Sequence, residues 1–103
     1  MTIGKALHPL IAALLQQIDG ACCVHCTMRD WHSSTFSGSR LTISIGLMGQ
    51  DAVARLSAFA SALPDIEFNL PGMFVADIVA HAVEPMADGG RLSIEALVLS
   101  DIG

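Results

Sequence analysis

Hydrophobic residues in this chain switch twice from helical spacing to strict alternation. The first half opens with apolar residues at i, i+3 and i+4 intervals, namely Leu7, Leu10, Ile11, Leu14, Leu15 and Ile18. Pro9 suits the first turn of a helix and Gly20 suits its end, so a helix is predicted over 8–19. After Gly20 the spacing becomes two, which predicts a strand, a turn at 36–40 and a return strand over 41–48.

The second half repeats this order. A second helix is predicted to open at Asp51 and to end before Pro64, because its apolar residues again fall on one helical face. A short strand is predicted over 65–70, where apolar and polar residues alternate. A final hairpin is predicted from strands over 73–84 and 91–100.

These elements give the order α-β-β-α-β-β-β. The 103 residues suit one domain, 1–103. Consecutive hairpins form an antiparallel sheet, and helices joined by short loops lie across one of its faces. The predicted fold class is therefore α+β, a two-layer sandwich with two helices packed on one face of the sheet. This architecture resembles a permuted ferredoxin-like arrangement, an analogy that carries no function.

The final hairpin is predicted to turn at Gly89-Gly90, whose glycines tolerate the positive φ of a tight turn. That register sets Val83 opposite Ala96 and makes both faces apolar. The face predicted to meet the helices holds Val75, Val79, Val83, Leu92, Ile94, Ala96 and Val98. The face predicted to stay open holds Phe74, Ala76, Ile78, Ala80, Ala82, Leu97 and Leu99. Because monomers seldom expose so large an apolar patch, a homodimer through the 73–100 hairpin is expected.

The charge pattern argues against several classes of partner. The protein is acidic, with 5 Lys+Arg against 10 Asp+Glu and a net charge of −5. No basic stripe is present to neutralise phosphates, so nucleic acid is not an expected partner.

No apolar run reaches the ~18–20 residues of a membrane span, so no membrane partner is expected. Free cysteines fit a reducing cytoplasm, which is the expected location.

Three cysteines and a histidine lie close together in the first predicted strand. On a regular strand, Cys23 and His25 share one face while Cys22 and Cys26 share the other. A metal site needs three or four converging ligands, so no metal and no cofactor are predicted. Cys22 and Cys26 are interpreted as small buried hydrophobic residues.

A second polar cluster contains the only tryptophan. Arg29, Asp30, Trp31 and His32 combine an aromatic ring with both signs of charge. Asp30, His32 and Ser34 include the residue types of a catalytic triad, but alternate strand residues run parallel about 6.6 Å apart and do not converge. No catalytic residues are therefore predicted. If the domain binds a small molecule, this cluster is the predicted site.

Two functions of different classes follow. The favoured hypothesis is a small non-enzymatic self-associating domain or assembly subunit, because two short helices cannot cover both apolar faces of the sheet. The alternative is a small-molecule-binding or catalytic domain with a polar pocket around Arg29, Asp30, Trp31 and His32. An enzyme normally needs several convergent polar groups, and the sequence offers few, so catalysis is not expected.

Overall fold

Two helices lie against one face of a four-stranded antiparallel sheet. The computed structural model describes residues 8–100. Its elements, with the labels used below, are α1 (Pro9–Gln17), β1 (Cys22–His32), β2 (Ser37–Met48), α2 (Ala52–Ala62), a 3-10 turn (Leu63–Asp65), β3 (Met73–Met86) and β4 (Gly89–Ser100). Leu7, which the sequence pattern assigned to the first apolar stripe, lies outside the described residues.

The strand order is β1-β2-β4-β3, and every neighbouring pair is antiparallel. β2 and β3 therefore run parallel with β4 between them, and α2 connects them, which is the split β-α-β unit of ferredoxin-like folds. Moving β4 to the front of the chain would give the ferredoxin-like order β-α-β-β-α-β. The predicted two-layer α+β sandwich is confirmed, and its strand order is consistent with the permuted ferredoxin-like analogy.

The core lies between the helices and the inner face of β2 and β4. Both helices open as the sequence predicts: Pro9 is at the first turn of α1, and the Nδ1 atom of His8 accepts a hydrogen bond of 3.0 Å from the Leu10 amide. Arg55 of α2 donates to the carbonyl oxygen of Asp19 at 2.7 Å and so links the ends of the two helices. The fully buried large side chains are Leu10, Leu14, Leu41, Ile43, Ile45, Leu56, Leu63, Leu92 and Ile94.

The predictions for the 65–70 segment and for the first hairpin turn are wrong. The 65–70 segment is not a strand and makes only an isolated bridge from Leu70 to Met73. Its alternation reflects apolar side chains packing on the core, which needs no ladder of backbone hydrogen bonds. The first hairpin turns at 33–36 instead of 36–40, because the Ser33 hydroxyl accepts from the Phe36 amide at 3.0 Å and closes the loop there.

The β3–β4 hairpin has a different register from the predicted one. Met86 pairs with Gly89, so the turn is Ala87-Asp88, and Val83 lies opposite Leu92 instead of Ala96. Gly89 belongs to β4, where an added Cβ would clash with the backbone carbonyl of Leu47. The glycine is therefore required by the close approach of β2, not by the turn.

Two β-bulges in β3 decide which residues face the helices. The register shifts between Val75 and Asp77 and again between Ala80 and Val83. Each bulge inserts one residue and reverses the alternation beyond it. Ile78 and Ala80 consequently pack against the core, whereas Val79 is 43% exposed on the other face. The predicted assignment of Ile78, Ala80 and Val79 is therefore wrong, and the uncovered face is not rich in alanine.

Candidate functional site

The face of the sheet away from the helices, called here the open face, carries side chains in rows that cross all four strands. At one end, the paired residues Trp31, Gly38, Leu99 and Phe74 form such a row. The ring of Phe36 meets that of Phe74 edge to face, with centroids 6.0 Å apart. Leu99 is buried although it lies outside the core that the helices cover. Phe36 and Phe74 therefore form an aromatic pair on the open face. This pair and the other apolar residues of the end row, Trp31 and Leu99, are called here the aromatic cluster.

Charged residues divide the open face into two halves. Arg29 and Arg40 pair in the next row on the β1–β2 half, which carries no acidic residue on this face. The same row continues through Leu97 to Asp77 on the β3–β4 half. Glu95 lies one row further along β4. One half of the open face is therefore basic and the other is acidic.

The remaining open-face charges keep this division. The Nε2 atom of His81 lies 3.0 Å from a carboxylate oxygen of Glu95, and both side chains are about half exposed. Glu84 pairs in register with Arg91 toward the hairpin turn. The β3–β4 half thus holds three carboxylates and a single arginine. The sequence did not predict these charges on the open face, because the two bulges in β3 decide which of its side chains lie there.

The predicted polar pocket is split by the pleat of β1. Arg29 and Trp31 lie on the open face, whereas Asp30 and His32 alternate to the opposite side. Arg29, Asp30 and His32 are exposed, and Trp31 is half-buried. The four side chains thus do not surround one common space, and ligand binding at them stays a prediction.

The cysteines are arranged differently from the predicted pattern because of a bulge at Val24. Cys23 and Cys26 both pack against the core, while Cys22 is exposed. The prediction that Cys22 is buried is wrong, and the bulge is the reason. Burial raises the pKa of the Cys23 and Cys26 thiols above the ordinary value, which leaves little reactive thiolate near neutral pH. Within residues 8–100, no three His, Cys, Asp or Glu side chains converge as metal ligands.

Several surface clefts formed by the described residues lie away from the predicted pocket, and two of them border the sheet. One, of about 520 Å³, runs between the segment after α2 and the edge strand β3, and Phe68 and Asp77 are among its lining residues. The other, of about 330 Å³, lies at the end of the open face opposite the aromatic cluster, and its lining includes Cys22, Met48 and Met86.

Comparisons with known proteins find no relative of this chain: no family model, curated protein or solved structure matches it. No helix within residues 8–100 is long and apolar enough to cross a membrane.

Proposed function

We propose that this protein is a non-enzymatic self-associating domain, in which a second copy covers the open face of the sheet. The observation that carries the proposal is the division of this face into a basic half on β1–β2 and an acidic half on β3–β4. Two copies related by a two-fold axis present the same surface to each other. A surface with opposite charges on its two halves is therefore complementary to itself.

The row structure selects one orientation of the two-fold axis. An axis parallel to the strands lays β1 of one copy over β3 of the other and keeps each row opposite itself. Arg29 then faces Asp77 of the second copy, and Trp31 faces Phe74. An axis across the strands would instead place the basic half on the basic half, without this complementarity.

The size of the face suits a stable dimer. β2 and β4 pair from Gly38 to Met48, which spans roughly 35 Å, and four strands are about 19 Å wide. The face therefore covers about 700 Å², near the ~800 Å² per partner of a standard protein interface. The aromatic cluster supplies apolar area at one end, and the charges supply orientation.

A charge-swap experiment tests this arrangement. Arg29→Asp and Asp77→Arg each create two like-charge contacts in a symmetric dimer, and each is expected to weaken dimerisation about 100-fold. Mixing the two variants should restore a dimer, because every contact in the mixed pair is again between opposite charges. Sedimentation equilibrium measures the dissociation constants.

Asp30→Arg is the matched control, since it makes the same charge change as Asp77→Arg on the opposite side of β1. It is expected to leave the dissociation constant unchanged. A wild-type protein that is monomeric at ~100 μM, or two variants that do not complement each other, would refute the proposal. A monomer whose Trp31 fluorescence responds to a metabolite would instead support the alternative, a small-molecule-binding domain.

A further inference from the structure

An imidazole and a carboxylate lie side by side near the middle of the open face. The Nε2 atom of His81 is 3.0 Å from a carboxylate oxygen of Glu95, and the two residues belong to neighbouring strands, β3 and β4. Two donor atoms bound to one tetrahedral zinc ion at ~2.0–2.1 Å are about 3.3 Å apart. The pair therefore already has nearly the separation that two ligands of one zinc ion need.

Another histidine lies in the same row at the opposite edge of the sheet. His25 of β1 pairs with Ser44 of β2, and Ser44 pairs with Ser93 of β4. In β3, the second bulge sets His81 opposite Ser93. β1 and β3 are three strand spacings apart, about 14 Å, so His25 is too far from His81 of its own chain to share an ion with it.

The two-fold axis of the proposed dimer brings the histidines together, so the inference that follows rests on the proposed function. With β1 of one copy over β3 of the other and each row opposite itself, His25 faces His81 of the second copy. Ser44 faces Ser93 in the same row, and these short side chains let the sheets approach closely at this point. Sheets packed face to face are ~10 Å apart, a gap that two imidazoles can bridge through one ion.

We propose that the dimer binds two zinc ions, each held by His81 and Glu95 of one copy and by His25 of the other. Two histidines and one glutamate are an ordinary zinc ligand set, which leaves the fourth position to water. Among the described residues, Glu95 forms its ion pair with His81 and not with Arg40 or Arg91 of the same face. Zinc adds a positive charge beside this carboxylate near the centre of the interface, where an unpaired charge is costly to bury.

Zinc titration against a chromophoric competitor, combined with sedimentation equilibrium, tests the site. The metal-free wild type is expected to dimerise in EDTA, to take up two zinc ions per dimer, and to dimerise at least 10-fold more tightly in zinc. His25→Gln and His81→Gln are each expected to weaken zinc binding about 10-fold or more. His32→Gln is the matched control, because His32 lies on the other side of β1, and it should bind zinc as the wild type does.

Mixed dimers of the charge-swap variants show whether the ligands come from two copies. In the first mixture, the Arg29→Asp chain also carries His25→Gln and the Asp77→Arg chain also carries His81→Gln. One site then keeps all three ligands, so this dimer should bind one zinc ion. In the second mixture, both histidine changes are in the Arg29→Asp chain. Each site then lacks one histidine, and neither should bind zinc tightly.

The two mixtures contain the same number of histidines, so only the placement of the ligands differs between them. Tight zinc binding in the second mixture but not in the first would overturn the inference, because all ligands would then come from one chain. A wild type that dimerises but takes up no zinc would also overturn it and would leave the proposed function standing. A protein that stays monomeric in both EDTA and zinc would refute the inference and the proposed function together.

Discussion

Replacing Ile78 by alanine is expected to destabilise the protein much more than the same replacement at the next residue, Val79. Both residues are β-branched and both lie in β3, so the loss of strand propensity is similar. They differ in direction, because the bulge after Val75 turns Ile78 toward the helices and Val79 toward the open face. The comparison therefore measures the effect of the bulge.

The magnitudes follow from burial. Ile78→Ala removes three carbon atoms that pack against the core, and at ~0.8 kcal/mol each the transfer contribution is about 2.4 kcal/mol. A residual cavity adds to this loss and partial exposure of the site subtracts from it, so about 2–3 kcal/mol is expected. Val79 is 43% exposed, and Val79→Ala should cost about 0.5–1 kcal/mol.

Urea unfolding followed by far-UV circular dichroism gives both free energies of unfolding. Each measurement is repeated at two protein concentrations, because self-association would make the apparent stability depend on concentration. A Val79→Ala loss equal to or larger than the Ile78→Ala loss would refute the reasoning. That result would mean that β3 keeps the uninterrupted alternation that the sequence suggests.

Three further outcomes are expected. Phe59→Ala should cost about 3–5 kcal/mol in urea unfolding, because it empties a buried ring position, and a loss below ~1 kcal/mol would contradict the layer assignment. Iodoacetamide at neutral pH, followed by mass spectrometry, should alkylate exposed Cys22 well before Cys26, whose pKa is raised by burial; equal rates would contradict this. Burial lowers the pKa of His8, so its contribution to stability is present above pH ~6.5 and is lost as the pH falls through the lowered value. His8→Asn keeps a capping side chain without titrating there, and it should remove this part of the pH dependence of unfolding.

The elements and the inner face of the sheet were predictable from local pattern. Pro9 and the apolar spacing after it define α1, and the alternation of Leu41, Ile43 and Ile45 marks the buried face of β2. Such patterns work because burial on one side of a helix or strand imposes a fixed period on the sequence. The two-layer architecture follows from these elements and their short connections.

Only the tertiary structure decided which β3 side chains face the helices, where the hairpin beside Gly89 turns, and which residues make up the open face. A bulge reverses the alternation of side chains, but no particular residue type marks its position in the sequence. The sequence therefore does not show which of Ile78 and Val79 faces the core. Gly89-Gly90 has the composition of a tight turn, yet Gly89 is needed where β2 passes close to β4. Side-chain direction in a strand depends on contacts with neighbouring strands and helices, and those contacts join residues far apart in the sequence.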